Sequence, residues 1–427
     1  MASFSKYNQI HQKHQENVLN KEAEKVVEAE SLMSPPTTPE VSGAGLPRLV
    51  YFGADSSGCY WWRIGHMASY LSAYGKATTM TVYSMVHHPA FFTGVDCVIL
   101  QRQISDVQVN YIEQLRKLSD NLKKSSGKGF KIIWEVDDVI APADAIPHYN
   151  ECRAGFTDPA IERNMTRVFK VIDEMTVPSQ AMRQHYGTYF NYKNISVIPN
   201  YMSRPHHDRF YDIADRIKLY HKKIKKPTIM YSGSGTHYNL RTGQTDDFTH
   251  VIDDIYNTRE EFDWVFVGGY PIRLRKLIES GTMRYIPWKP LFELPQVMHE
   301  VGAQVAIAPL ADNVFNQSKA NIKVTESNIL GIPVVSQNLQ CYRDNPWKFD
   351  TGSQMIQQIR NILKDKVTYE KACKDARAYA EDYFIDKHMD EALLIYTTDF
   401  YDPKRWENSY YTRHNVKMTD LPVVTLE

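Results

Sequence analysis

Short apolar segments alternate with longer segments of helical periodicity along nearly the whole chain. In the first half, the β-favouring segments include RLVYFGA, VDCVILQR and FKIIWEVDD, and helix-like segments such as SGCYWWRIGHMASYLSAYG and SDVQVNYIEQLRKLSDNLKKS lie between them. Apolar runs of strand length, each followed by a helical pattern, favour βα units over an all-helical or all-β arrangement. The pattern therefore predicts a parallel sheet with helices on both faces.

The same alternation begins again after a change in composition. Residues 203–227 are basic and aromatic, and the segments TIMYSGS, FDWVFVGGY, AQVAIAPL and IPVVSQ then continue as a second series of strands. Two doubly wound halves of ordinary domain size fit a chain of 427 residues. Ligands bind outside the carboxyl ends of the strands in such sheets, so we expect two facing halves to form a cleft.

These patterns divide the chain into five predicted segments. Residues 1–47 are polar and end in the linker SPPTTPEVSGAG. The segments are a flexible extension over 1–47, a Rossmann-like domain over 48–202, a basic linker over 203–227, a second Rossmann-like domain over 228–385, and a C-terminal helix and tail over 386–427.

Composition excludes several classes of protein. Apolar runs fall far short of the roughly 20 residues of a membrane helix, and residues 1–30 lack the apolar core of a signal peptide, so a cytoplasmic location is expected. The five cysteines are scattered without a CxxC pair, which indicates free thiols. Fifty basic and 50 acidic residues argue against a general polyanion binder and leave room for a local basic patch.

The segment NQSKANIKVTESNILGIPVVS, residues 316–336, has an unusual charge pattern. If a helix begins near Ser318, then Lys319, Lys323 and Glu326 lie in one stripe at the carboxyl end of the preceding strand. Free N–H groups and a lysine in the first turn suit a phosphate, and Glu326 could accept hydrogen bonds from a ribose.

A plainer interpretation of this segment is available. Asn316 or Ser318 caps the helix, and Lys323 and Glu326 form an exposed ion pair of small energetic weight. Spacing alone leaves both interpretations open.

The longer stretch VAIAPLADNVFNQSKANIKVTESNILGIPVVSQ resembles the nucleotide-sugar signature of retaining glycosyltransferases with the GT-B fold, in the broad family 4 and family 1-like group. YSGSGTHYNL, FDWVFVGGY and VPSQAMRQHYG resemble other pieces of that family in the expected order. The resemblance covers about residues 48–400 and also extends to phage DNA-modifying glucosyltransferases. It implies an acceptor domain, then a nucleotide-sugar domain, and a C-terminal helix that crosses back to the first.

The resemblance implies donor contacts, most of them in the second half. Glu326 matches the second member of the family's glutamate pair and would bind the ribose, whereas the first member falls at Ser318. Lys319 would face the diphosphate. The remaining donor-site candidates are Gly58, Gly233, His237, Arg241, Gly268, Gly269, Asn316 and Lys323.

The first half offers two further sets of candidates. In FGADSSGCYWWRIGHMASYL, a glycine-containing loop precedes a helix, and within the resemblance Arg63 reaches an acceptor or a phosphate. Asp137 and Asp138 follow the buried strand KIIWEV, where acids lie at the mouth of the cleft. They would orient or deprotonate the acceptor hydroxyl, unless they simply hydrogen-bond their own turn.

The resemblance implies a hexosyltransferase that acts with retention. Its co-substrate would be a nucleotide-diphosphate sugar, most simply a UDP-sugar, with no tightly bound cofactor and no metal. The basic patch over 204–226 suggests a hydroxymethylated base in DNA as acceptor, in the host cytoplasm if the protein comes from a phage. The alternatives are a cell-surface glycan as acceptor, a solvated helix without a nucleic-acid role, or a non-catalytic nucleic-acid or sugar-binding module.

Overall fold

A computed structural model describes residues 45–55, 58–147, 158–222, 226–239 and 246–399. Strands from the first half form one sheet and strands from the second half another, and all neighbouring strands are parallel. The predicted α/β class, with two Rossmann-like doubly wound domains, is confirmed. The predicted segment boundaries stay predictions.

The first sheet has six strands in the order β2-β1-β3-β4-β5-β6. Its strands are β1 (Arg48–Phe52), β2 (Thr78–Val82), β3 (Cys97–Gln101), β4 (Lys131–Glu135), β5 (Glu174–Val177) and β6 (Ile195–Val197). Its helices are α1 (Gly58–Tyr60), which runs through a π-helical turn (Trp61–Gly65) into α2 (His66–Ala73), then α3 (Asp106–Ser126), α4 (Pro159–Val168) and α5 (Gln180–Phe190).

The second sheet also has six strands, in the order β12-β11-β10-β7-β8-β9. Its strands are β7 (Thr228–Ser232), β8 (Asp263–Gly268), β9 (Arg284–Pro287), β10 (Val305–Ala308), β11 (Val334–Gln337) and β12 (Lys348–Phe349). Between the sheets in sequence lie α6 (Arg204–His207) and α7 (Ile213–Lys222). The later helices are α8 (Ile252–Asn257), α9 (Arg275–Glu279), α10 (Leu294–Val301), α11 (Val314–Gln317), α12 (Ile322–Asn328), α13 (Gly352–Leu363), α14 (Lys366–Glu381) and α15 (Met389–Thr397).

The central strands are buried on both faces, as expected for parallel sheets covered by helices, whereas the edge strands β2 and β9 are partly exposed. All five residues of β3 are buried, and so are all four residues of β10. Continuous apolar runs such as CVILQ and VAIA therefore form strands here, because helices from both sides remove their side chains from water.

The last helix crosses back onto the first sheet. Ile395 and Tyr396 of α15 belong to the same apolar cluster as Leu49 and Tyr51 of β1, and the rings of Tyr51 and Tyr396 meet edge to face at 5.9 Å. The sequence placed a crossover helix at about 386–400, and the structure confirms it.

Candidate functional site

The strand order of the second sheet reverses between β7 and β10. From β7 the sheet grows through β8 to β9 on one side, and from β10 through β11 to β12 on the other. In open α/β sheets, ligands bind outside the carboxyl ends of the strands at such a switch point. The loops after β7 and β10 therefore frame the candidate site.

Lys323 reaches this switch point from α12. Its Nζ donates to the backbone oxygen of Ser232 at 3.0 Å and lies 4.8 Å from the centre of the Tyr231 ring. Burial, followed by the charge of Lys319, lowers the pKa of Lys323. No other hydrogen bond joins this ammonium to the described part of the chain, so two of its three donors are left for a ligand.

Glycines allow the loops after β7 and β8 to approach each other closely. A Cβ on Gly233 would contact Nζ of Lys323, and one on Gly268 would lie 2.6 Å from the backbone oxygen of Gly233. A Cβ on Gly269 would lie 2.7 Å from the ring of Tyr238. Gly268 also has a φ of +92°, which strongly favours glycine.

His237 and Asp247 form a buried pair beside Lys323. Nδ1 of His237 donates to Oδ2 of Asp247 at 2.6 Å. Oδ1 of Asp247 accepts from the backbone N–H of Ala311 at 3.0 Å and from Nδ2 of Asn316 at 2.7 Å. Asp247, only 1% exposed, thus ties the loop after β7 to the loop after β10.

The His237 ring is neutral at pH 7. Its burial and the charge of Lys323 lower its pKa to about 3, and Lys319 acts in the same direction. The hydrogen bond to Asp247 opposes them. Because both lysines act on this ring, the three nitrogen groups belong to one cluster at the switch point.

The prediction that a helix begins near Ser318 is wrong. α11 ends at Gln317 and α12 begins at Ile322, with a bend over 318–321 between them. The N–H groups of Ser318 and Lys319 close α11 on the oxygens of Val314 and Asn316, at 3.2 and 3.3 Å, and so cannot begin a new helix.

This bend separates Lys319 from the stripe of Lys323 and Glu326. The ammonium of Lys319 lies 4.6 Å above the centre of the Phe315 ring in α11. Ser318 is buried, and its backbone oxygen accepts from Oγ of Ser179 at 2.6 Å. Lys319 still contributes charge to the cluster, from the bend and not from a helical stripe.

Glu326 lies one turn beyond Lys323 on α12. Burial raises the pKa of Glu326, and the charge of Lys323 lowers it. No hydrogen bond or ion pair joins its carboxylate to the described residues, and Lys323 donates to Ser232 instead. The plain interpretation, an exposed Lys323–Glu326 ion pair, is therefore wrong.

In the first sheet, Gln101 holds the loop that follows β1. Its Oε1 accepts from the N–H of Ala54 at 3.1 Å, and its Nε2 donates to the oxygen of Cys59 at 3.0 Å. Gly58 begins α1, and a Cβ there would come no nearer than 4.0 Å to Trp62. The loop thus lies at the carboxyl ends of β1 and β3, where the order of the first sheet reverses.

Arg63 points into the core. Its Nε donates to Oε1 of Glu135 at 2.5 Å, and its Nη1 donates to the oxygen of Ile198 at 2.5 Å and to Oδ1 of Asn200 at 2.7 Å. Burial raises the pKa of Glu135 to about 7 against the opposing charge of Arg63. In this conformation Arg63 joins three parts of the first half, and contact with an anion would require these bonds to break.

Asp137 lies beside Arg102, a residue that sequence reasoning did not select. Nε of Arg102 is 3.3 Å from Oδ1 of Asp137, and its Nη2 pairs with Asp55. Arg102 has a φ of 46°, an uncommon conformation that is often found at functional sites. The carboxylate oxygens of Asp137 can accept a hydrogen bond from a hydroxyl group.

Asp138 is more deeply placed than Asp137. It is 6% exposed, and its backbone oxygen accepts from the hydroxyl of Tyr186 at 2.8 Å. The next residue, Val139, packs with Ile146 against Phe315 of α11. The ammonium of Lys319 lies over the same Phe315 ring. This contact therefore brings Asp137 and Asp138 close to the cluster of Lys319, Lys323 and His237.

Comparisons with known proteins agree on the fold. No protein-family model matches the chain, and no curated protein matches it. Anabaena HepE in complex with UDP-glucose is similar in structure, with a TM-score of 0.54 and 10% identity over 81% of this chain and 99% of HepE. An alpha-glucosyltransferase in complex with UDP and a 13-mer DNA containing an HMU base has a TM-score of 0.52 and 10% identity over 83% and 100% of the two chains.

Both neighbours are GT-B glycosyltransferases. The chain has the GT-B fold. The cluster around Lys323 and the acids after β4 lie at the carboxyl ends of strands from the two sheets, and the contact of Val139 with Phe315 joins these two regions. Among the described helices, none is both long and apolar enough to cross a membrane.

The basic segment of this GT-B chain is largely used for packing. Arg216 is 2% exposed and donates to the backbone oxygen of Ala303, while Arg204 pairs with Glu381 at 2.7 Å. Phe210, Tyr211 and Tyr220 pack against the second domain, Tyr220 by stacking on Tyr369 at 4.9 Å. For Arg216 and Tyr220 the expected grip on phosphates and stacking on bases is wrong, because both side chains are buried in the attachment of α7 to the second domain.

Some predicted residues cannot be placed. Arg241, Lys223 and Lys225 lie outside the described residues, as do the side chain of Lys222 and the extension over 1–44. Of the remaining basic side chains in the segment, those of Arg209, Lys218 and Lys226 are exposed.

Sequence reasoning missed three residues that lie beside the candidates. Asp247 and Arg102 carry no motif, because their partners come from distant parts of the chain. Trp288 is 58% exposed, and a Cβ on Gly268 would lie 2.9 Å from its ring. An exposed indole beside the Gly268–Gly269 turn offers a face on which a base can stack. In the sequence, the position of Trp288 after that turn was its only indication.

Proposed function

We propose that this protein transfers a sugar from a nucleotide-diphosphate sugar, a UDP-sugar, to an acceptor hydroxyl. The observation that carries the proposal is the cluster of Lys319, Lys323 and His237 at the switch point of the second sheet. It lies one helical turn from the carboxylate of Glu326, which has no hydrogen bond or ion pair to the described residues. The structures of HepE with UDP-glucose and of an alpha-glucosyltransferase with UDP, which share the fold, support the same donor.

The donor contacts follow from these positions. A departing diphosphate develops negative charge, and Lys319 and Lys323 supply fixed positive charge in a partly buried site, where electrostatic stabilisation is strongest. Glu326 accepts hydrogen bonds from the ribose hydroxyls. Gly233, Gly268 and Gly269 let the nucleotide approach the backbone. Arg241, outside the described residues, stays a candidate from the sequence alone.

Asn316 and Ser318 take the place of the family's first glutamate near the donor sugar. Asn316 is 1% exposed and fixed by Asp247, so its position is well defined. Both side chains are neutral, and so neither adds negative charge next to the diphosphate. This arrangement keeps the cationic character of the cluster.

The acceptor side is assigned to the first domain. Asp137, held by Arg102, orients the acceptor hydroxyl, and Asp138 supports the turn in which both acids lie. Gly58 leaves room for the donor phosphates at the loop after β1. Arg63 contacts an anion only if it leaves Glu135, so its first role is to hold Glu135 and the segment after β6.

We further propose that the anomeric configuration is retained. The support is the resemblance of the Lys323–Glu326 segment to retaining enzymes, in which the departing phosphate itself helps to accept the proton of the acceptor. Proton NMR of the first-formed product tests this: an α-linked product from an α-linked donor is expected, and a β-linked product would contradict it.

For the acceptor we propose a hydroxymethylated base in DNA. The alpha-glucosyltransferase that holds an HMU-containing DNA is the support, together with the exposed Arg209, Lys218 and Lys226. UDP release from UDP-glucose should rise when hydroxymethylated duplex DNA is added, and should not rise with the unmodified duplex. Equal release with both duplexes, or stimulation by a glycan alone, would overturn this acceptor.

The proposed activity is tested by nucleotide release from a panel of UDP-sugars. Lys319→Ala and Glu326→Ala should each lower kcat/KM by about tenfold or more, since each removes a charged contact to the donor. Lys276→Ala and Glu279→Gln, exposed positions on α9, serve as matched controls and should leave the rate unchanged. Failure to bind or cleave any nucleotide sugar would end the enzyme interpretation in favour of a binding module.

A further inference from the structure

Asp247 is a buried acid in the middle of the proposed donor site, and no sequence motif points to it. We propose, building on the proposed function, that Asp247 is a positioning residue that makes His237 a proton-linked phosphate clamp. Binding of a UDP-sugar takes up a proton at Nε2 of His237, and the imidazolium, held by Asp247, donates to an oxygen of the diphosphate.

The geometry fixes which nitrogen is free. The carboxylate of Asp247 can only accept, so Nδ1 of His237, 2.6 Å from Oδ2, carries the proton. The other oxygen of Asp247 is held by the N–H of Ala311 and by Asn316, so the carboxylate cannot turn away. No hydrogen bond joins Nε2 to the described residues, which leaves its lone pair to face a ligand.

The groups around His237 explain why it is neutral before binding. Lys323 faces it from α12, Lys319 from the bend over 318–321, and Asp247 from the turn before α8. Asp246, the neighbouring acid, accepts from the N–H groups of Phe248 and Asn239. Burial and the two ammonium groups outweigh Asp247 and lower the pKa of His237.

A diphosphate reverses this balance. Its two negative charges offset the charges of Lys319 and Lys323, and its oxygens need donors rather than the lone pair of a neutral imidazole. Protonation of Nε2 then gives a charge-assisted hydrogen bond to the diphosphate on one side of the ring, while Asp247 stabilises the cation on the other.

Glu326 and Lys323 belong to the same charge network. Glu326 faces Lys323 and not the imidazole directly, so its effect on His237 passes through the lysine. The proton balance is simple. One proton comes from solvent when the donor binds and returns to solvent when the nucleoside diphosphate leaves, and no covalent bond forms at His237.

The proton uptake can be measured by calorimetry. UDP-glucose is titrated into the protein at pH 7 in buffers of different ionisation enthalpy, and the slope of the observed enthalpy gives the protons bound. The diphosphate of UDP-glucose does not titrate near neutral pH. Wild type should take up about one proton more than His237→Gln, whose amide cannot be protonated.

Asp247→Asn removes the charge that stabilises an imidazolium. If the amide oxygen accepts from Nδ1 of His237, the amide NH2 faces the N–H of Ala311, so this variant also loses that second hydrogen bond. This variant should bind UDP-glucose about tenfold more weakly, with proton uptake reduced toward that of His237→Gln. His250→Gln is the matched control, because His250 bonds Gln337 at 2.5 Å and is not among the groups that act on His237.

The outcomes distinguish this inference from the function on which it rests. If neither UDP-glucose nor UDP binds wild type, the proposed function fails. If either binds and His237→Gln takes up as many protons as wild type, the proton-linked clamp is overturned while the function stands. UDP can itself gain or lose a proton on binding. Subtracting the proton uptake of His237→Gln from that of wild type removes this contribution of the ligand. If Asp247→Asn does not fold, the comparison of wild type with His237→Gln still decides the inference.

Discussion

Single glycines set the distance between the loops that form the donor site. Gly268→Ala would add a Cβ 2.6 Å from the oxygen of Gly233, at a φ of +92°. The substitution should lower the free energy of unfolding by about 2 kcal/mol or more, and it should weaken UDP binding because the Gly233 loop must shift. Urea unfolding and calorimetry measure the two effects.

Gly281→Ala is the matched control. Gly281 has a φ of +74°, and a Cβ there would meet nothing within 4 Å. The left-handed conformation strains an alanine there, so the substitution should lower the free energy of unfolding by only about 1 kcal/mol. UDP binding should be unchanged. Equal loss of UDP binding in both variants would contradict the assignment of Gly268 to the site.

The residues that the sequence could bring together are those whose spacing along one helix carries the signal. Lys323 and Glu326 are three positions apart, and the structure places both on α12, with Lys323 reaching the carboxyl end of β7. Asp247 and Arg102 were not recoverable, because Asp247 acts on residues 10 and 69 positions away. No periodicity or motif encodes a contact of that kind.

The crossover helix α15 is an element whose packing can be tested directly. Ile395 is 4% exposed and lies in the apolar cluster of the first sheet. Ile395→Ala should lower the free energy of unfolding by about 2–5 kcal/mol, since a large buried side chain leaves a cavity. Thr397→Ala, on the exposed side of α15, should change it by less than about 0.5 kcal/mol. Similar losses in both variants would contradict the packing of α15.

Helix limits were less predictable than helix positions. The stripe of Lys319, Lys323 and Glu326 suggested one continuous helix, but the backbone of Lys319 completes α11 instead. The basic segment gave a similar difficulty, because composition cannot tell a surface arginine from Arg216, which is buried against Ala303. In both cases tertiary contacts decided what the local pattern left open.

The fold as a whole was the best predicted feature, because alternating strands and helices admit few arrangements. Two parallel sheets, a cleft and a returning helix all followed from the pattern and the resemblance. The order of the strands did not, since it depends on which helices cover which face. That order defines the switch points at which the candidate residues meet.

Buried histidines give the molecule a specific response to acid. His207 is 2% exposed, its Nδ1 lies 2.7 Å from the oxygen of Ser203, and burial lowers its pKa to about 3. Because this pKa is below the unfolded value of about 6.5, its contribution to stability is present above pH 6.5 and is lost as the pH falls toward 3.

Replacement of the His207 imidazole should therefore make the free energy of unfolding less dependent on pH. Between pH 6.5 and 5, the free energy of unfolding of wild type should fall by about 1 kcal/mol per pH unit relative to His207→Gln, whose amide can still donate to Ser203. Urea unfolding at several pH values measures the difference. His221→Gln, at an exposed position, is the control and should follow wild type. Parallel curves for wild type and His207→Gln would contradict a buried neutral histidine.

The central claim, that the switch point of the second sheet binds the diphosphate of a UDP-sugar, is tested most directly by titration of UDP into wild type and Lys323→Met. Methionine keeps the length of the side chain without its charge, and Lys276→Met on α9 controls for loss of a surface lysine. We predict one saturable site in wild type and in Lys276→Met, with affinity about tenfold or more lower in Lys323→Met. Absence of UDP binding to wild type, or equal affinity in all three proteins, would contradict the claim.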